Sequence, residues 1–172
     1  RAICARIMLG LTLLSSFAGS NAFGRGVTQG QLSRLDPRTE ATSVLLETVK
    51  ELLKDDQLEE ALPFLEEILI RLEGDEEKKA RQTMAFTLYQ LGHCEMKLGG
   101  YAPAAKNFIR FADSFPEDLQ NASARVLAAQ CLTMLQQWPQ VEEQSVQVLK
   151  DRRLASDLKI PANQLLAESR YQ

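Results

Sequence analysis

The sequence predicts an all-α protein, a helical-hairpin solenoid of about three repeats followed by a truncated fourth. Three observations predict it. Apolar residues recur at helical spacing from residue 39 onward, with few strand-like alternations. Leu, Ala, Glu, Gln and Lys are common there, while Val, Ile and Thr do not cluster. One apolar stripe also returns three times. It is Leu58-Ala61-Leu65-Ile68 in the first stretch, Tyr101-Ala104-Phe108-Phe111 in the second and Trp138-Val141-Ser145-Val148 in the third. Each opens on a large residue and steps +3, +4, +3, which is one buried helix face. The offsets are 43 and 37 residues, and ANQLLAESRY (162–171) overlays ARVLAAQCLT (124–133) at 38.

The elements follow in order. The chain has 172 residues, 45% of them hydrophobic, enough for one domain with a core. It opens on Arg1 rather than Met, as a trimmed or partial chain would. Arg1 and Arg6 precede the short apolar run IMLGLTLLSSFA (7–18), and SNA (20–22) sets small residues where a signal peptidase reads. Residues 1–22 are therefore expected to be a signal peptide that leaves an exported, periplasmic or extracytoplasmic, protein. FGRGVTQGQLSRLDPR (23–38) reads as a flexible linker, with Asp36-Pro37 as a helix start. The solenoid covers 39–172, in units of about 42–74, 75–118 and 119–157 and a partial unit of 158–172. Breaks fall at DDQ (55–57), GD (74–75), GG (99–100), SFPED (114–118), QQWP (136–139) and KIP (159–161). Asp75 reads as the N-cap of a longer, solvated helix. No run of about 18 apolar residues offers a membrane span. A net charge of −3 argues against a nucleic-acid partner.

Leu88, Leu91, Gly92, Gly99, Tyr101, Ala104, Phe108 and Pro116 stand at the spacing of a large residue, L-G, G, Y, A, F and P. That pattern resembles the tetratricopeptide repeat (TPR). The run Phe108, Phe111, Phe115, Pro116 is similar to a variant of bacterial envelope proteins, of the outer-membrane assembly lipoprotein and Tol-associated coordinator type. The other units depart from the pattern: Val49 stands at the glycine position of the first, which also carries Pro63 in its second helix. Arg125 and Ser145 stand at apolar positions of the third. Small Gly92 and Ala129 let paired helices approach, and Gly99-Gly100 supplies positive φ for a tight turn.

Candidate chemistry is sparse. His93, the lone histidine, adjoins Cys94, and neighbouring helix side chains diverge by roughly 100°. Metal ligation needs i,i+3 or i,i+4 spacing, so no metal is expected. Cys94 and Cys131 are one repeat apart, with Ser169 at the same place in the last unit, and this predicts two separate buried thiols rather than a disulfide. The carboxylate pairs Glu59-Glu60, Glu66-Glu67, Glu76-Glu77 and Glu142-Glu143 read as solvated helix faces. Asn121-Ala122-Ser123 is a glycosylation sequon. No nucleophile elbow, phosphate loop or H-E-x-x-H is present. No catalytic residue, enzyme activity or cofactor is expected.

The resemblance implies a concave groove lined by the first helices, taking a peptide or partner protein. Carried onto matching positions, it is lined by Lys50, Leu53 and Lys54, then Tyr89, Gln90, His93, Met96 and Lys97, then Leu127, Gln130 and Thr133. The expected function is a non-catalytic, exported protein-interaction scaffold. The alternative is a structural or oligomerising module of a longer protein.

Overall fold

The computed structural model describes residues 35–150 and 156–172. The expected signal peptide and most of the linker lie outside them. The described chain is all-helical: α1 (Thr42–Lys54), α2 (Leu58–Leu72), α3 (Lys78–Lys97), α4 (Tyr101–Ser114), α5 (Asn121–Met134), α6 (Trp138–Lys150) and α7 (Ser156–Tyr171). Each helix packs on the next, and α7 also packs on α5. Three-residue turns join α1 to α2, α3 to α4 and α5 to α6, so each pair lies antiparallel as a hairpin.

The three hairpin turns share one backbone solution. Gln57, Gly100 and Gln137 donate N–H to Leu52, Glu95 and Leu132 carbonyls at 2.9, 2.7 and 3.0 Å. Asp56, Gly99 and Gln136 donate to Leu53, Met96 and Thr133. This is the Schellman pattern, which satisfies the last carbonyls of the first helix. It needs a left-handed residue, and φ is +56° at Asp56, +82° at Gly99 and +57° at Gln136. Only the middle turn has glycine there; the outer two hold a strained side chain in the same place. Gly100, expected to share the positive φ, has φ −78°. Its role is close approach, since a Cβ there would lie 3.3 Å from the Glu95 carbonyl oxygen.

The repeated stripe is the buried face of α2, α4 and α6: after each half-buried opening residue, the remaining nine positions are buried. At its third member, Leu65, Phe108 or Ser145, the preceding helix carries the counterpart Val49, Gly92 or Ala129. Val49 and Leu65 lie in one core cluster. A Cβ at Gly92 would stand 2.7 Å from the Phe108 ring, so the ring occupies the space of the missing side chain. In the third hairpin Ala129 and Ser145 hold the equivalent places, 0% and 1% exposed. The Ser145 hydroxyl is buried there without a hydrogen-bond partner. On α7 the counterpart, Ala167, is exposed.

Two cores result. Leu45, Val49, Leu52, Leu65 and Ile68 fill one between α1, α2 and α3. Leu88, Phe108, Phe111, Ala128 and Val141 belong to the other, which runs on to Ala162 and Leu165 of α7. Helix α3 serves both: Leu91 and Cys94 enter the first, Leu88 the second.

Several expected boundaries move. Asp36 does not cap a helix: its carboxylate accepts the Arg38 N–H and its carbonyl the Thr39 N–H, closing a turn before the helix begins at Thr42. That turn, the last part of the expected flexible linker, is tied down. Arg71 of α2 donates to the carbonyls of Pro37 and Arg38 at 2.8 and 2.9 Å and to that of Glu40, while its Nε holds Glu67. Asp75 likewise caps a turn through the Glu77 N–H, and α3 starts at Lys78. The expected break at KIP (159–161) is helical. Pro161 lies inside α7, where proline forfeits only the bond to Asp157 in the first turn, and burial of Ala162 and Leu165 beyond it holds the helix. The last unit therefore begins at Ser156.

Two substitutions test this packing. Gly92→Ala drives a methyl into a ring that has nowhere to go and should destabilise the fold by about 1–3 kcal/mol in urea denaturation. An unchanged midpoint would show that α3 and α4 do not need this contact. Ser145→Ala removes a buried hydroxyl that bonds to nothing and should stabilise by about 1 kcal/mol in the same assay; a loss would mean the hydroxyl is paired.

Candidate functional site

The expected groove positions are only partly gathered. Helices α1 and α3 do not pack closely on one another, unlike α5 and α7. At α5 and α7 the small residues Ala124, Ala128 and Ala162 allow contact, all 0% exposed. On α3 the positions equivalent to Ala124 and Ala128 are the larger Thr87 and Leu91. Between the α1–α2 turn and α3 lies a cavity of about 290 Å³. Leu53 and Leu58 form its apolar wall, with Tyr89, Gln90 and His93 opposite. Asp56 and Lys97 stand at its mouth, their charged ends 3.0 Å apart and largely exposed.

The aromatic wall is built from the repeat. The ring centroids of Tyr89 and His93, one helical turn apart, are separated by 4.7 Å at 67°. His93 stands edge-on to Phe108 at 5.3 Å and 90°, and Tyr89 meets Phe108 and Phe111 at 5.9 and 5.3 Å. The same Phe108 that fills the Gly92 notch therefore fixes the groove rings. Edge-to-face pairs of this kind each contribute about 0.5–1.5 kcal/mol beyond their burial.

Other expected groove residues lie elsewhere. Lys50 and Lys54 are exposed on α1 and paired within it to Glu47 and Glu51 at 2.7 and 3.9 Å. Met96 and Leu127 are half-buried against the larger core. Gln130 is half-buried on α5, and the Thr133 hydroxyl donates back to the Ala129 carbonyl. Helical spacing put all of these on one face of their own helix. It could not show that α3 packs closely on neither of its neighbouring first helices, α1 and α5.

His93 and Cys94 border the same cavity, from wall and floor, although helix geometry turns them apart. They differ in chemistry. Cys94 is 1% exposed, and burial, then Glu95, pushes its thiol up to about 11. A thiol that holds its proton so firmly is a poor nucleophile. Burial, then Lys97, lowers the His93 pKa. Cys131 is likewise a separate buried thiol raised to about 11. Among the described residues, no three His, Cys, Asp or Glu side chains converge as metal ligands would. The sequon asparagine is committed: the Asn121 amide donates to the carbonyls of Ala112 and Phe115 at 2.6 and 3.0 Å, closing the end of α4.

Sequence reasoning missed other concave surfaces, because their walls come from segments far apart along the chain. One of about 600 Å³ is floored by Ala105, Ile109, Leu132 and Leu135. Beside it, Arg125 is explained: with only 15% of its side chain exposed, it bonds Gln144 and Asp113, both at 2.8 Å, and so links α4, α5 and α6. A third hollow of about 480 Å³ lies where Arg81 stands over the Phe115 ring, 5.8 Å from its centroid.

Because His93 is the only histidine, its ring protons report alone. In an NMR titration its midpoint should fall below the ordinary 6.5. The unfolded chain then takes up this proton first, so stability should be full above pH 6.5 and decline as pH falls towards the folded midpoint. A midpoint at or above 6.5 would mean the ring is better solvated than its packing indicates. Compared with known proteins, the chain matches no family model and no curated protein.

Proposed function

We propose that the protein is an exported, non-catalytic scaffold of the tetratricopeptide kind that binds a peptide or partner protein along its first helices. One observation supports this most: the cavity between α1 and α3 gathers Leu53, Tyr89, Gln90, His93 and Lys97 around an apolar centre. That combines an apolar anchor site with amide and cationic groups at its edge, the make-up of a polypeptide recognition surface. A thiol pushed up to about 11, beside an imidazole whose pKa burial lowers, speaks for binding over covalent catalysis. The basic-then-apolar start of the chain and SNA (20–22) support export. Among the described residues no helix is long and apolar enough to cross a membrane.

A peptide-display selection on the immobilised protein tests the reading. Selected peptides should lose about tenfold in affinity for the Gln90→Ala/Lys97→Ala double variant, with its melting temperature unchanged. Peptides that bind this variant as tightly as the parent would remove the groove from the proposal.

A further inference from the structure

The groove wall carries two titratable rings, His93 and Tyr89, with the Cys94 thiol at its floor; burial raises the phenol and the thiol, so both hold their protons in acid. His93 lines the cavity with Leu53, Leu58 and Tyr89, and its edge is set by Phe108 at 5.3 Å and Tyr89 at 4.7 Å. The surroundings that bear on its charge are few. Helix α1 brings Leu53, α2 brings Leu58 and α4 brings Phe108, all apolar. Helix α3 brings Lys97 one turn on, and the α1–α2 turn brings Asp56, which is spent on Lys97 at 3.0 Å. No carboxylate hydrogen-bonds the imidazole among the described contacts of this site. A proton on His93 would therefore place a cation between apolar walls and beside a lysine. Filling the cavity with an apolar side chain would strip the remaining water from the ring and make that cation still less favourable.

We infer that the α1–α3 cavity holds an apolar side chain of a bound polypeptide only while His93 is neutral, so that acidification releases it. The inference rests on the groove reading above and adds its regulation. Its sign follows from linkage. If the complex binds the proton less readily than the free protein, affinity is constant at high pH and falls below the free midpoint of His93. The fall is at most about tenfold per pH unit for one proton.

The test uses N-acetyl-L-phenylalaninamide as an uncharged probe of the cavity, followed by NMR on the His93 ring protons at pH 7.5 and pH 5.0 in the full chain. The expected result is saturable binding at pH 7.5, weakened at pH 5.0 by the factor that the free His93 midpoint, read in the same titration, sets through linkage. His93→Gln keeps a polar group of similar reach without the proton. It should bind the probe with one affinity at both pH values, followed through Tyr89 resonances. Equal probe affinity at both pH values in the parent, or a pH dependence that survives His93→Gln, overturns the inference. So does an absence of saturable binding at pH 7.5. Failure of the groove reading would show separately, as selected peptides indifferent to Gln90→Ala/Lys97→Ala. A peptide that depends on those residues yet binds equally at both pH values would sink the proton linkage alone.

Discussion

The contact between Gly92 and the Phe108 ring is the constraint on which the middle of this molecule depends. With no side chain at 92, α4 comes close enough to α3 for its ring to fill the notch. The ring is then fully buried and becomes the support for Tyr89 and His93. The same place is solved differently on either side, by Val49 with Leu65 and by Ala129 with Ser145. The combined size differs from place to place, so each hairpin reaches close packing in its own way. Only the Ala129–Ser145 solution leaves a polar group unsatisfied.

Helix α3 is the element that joins the two cores, and this explains where the groove lies. On one side its Leu91 and Cys94 close the first core; on the other Leu88 enters the second. The residues between these faces, Tyr89 and His93, stand in the wall of the cavity. At the other end, alanines let α7 settle directly on α5. The α1–α3 cavity thus lies beside the junction of the two cores.

Much of the fold was legible. The stripes of α2, α4 and α6 and the hairpin turns at 55–57 and 99–100 follow from local periodicity and turn chemistry. The paired thiols followed from the repeat offset alone. Helix starts were less legible. Asp36 and Asp75 carry the right side chain for a cap but spend it on a turn just outside the helix, since a carboxylate serves either purpose equally well. Pro161 carried a break signal that packing overrode. Arg125 looked misplaced until its two partners, on α4 and α6, were in view.

The left-handed turn residues mark the same divide from another angle. Gly99 announced its turn, whereas Asp56 and Gln136 adopt the same conformation with nothing in their identity to require it; the hairpin closes around them because the buried stripes hold the helices in register. By itself, then, the sequence determined what depends on neighbours along the chain: helical period, the repeat and its offset, and the face each helix buries. Only the tertiary structure decided which groove positions meet. Leu53, Tyr89, Gln90, His93 and Lys97 share a cavity, while Lys50, Lys54, Met96, Gln130 and Thr133 stand apart from it. The reason is physical: the angle between successive hairpins comes from the summed sizes of residues far apart in the chain, and no local pattern encodes that sum.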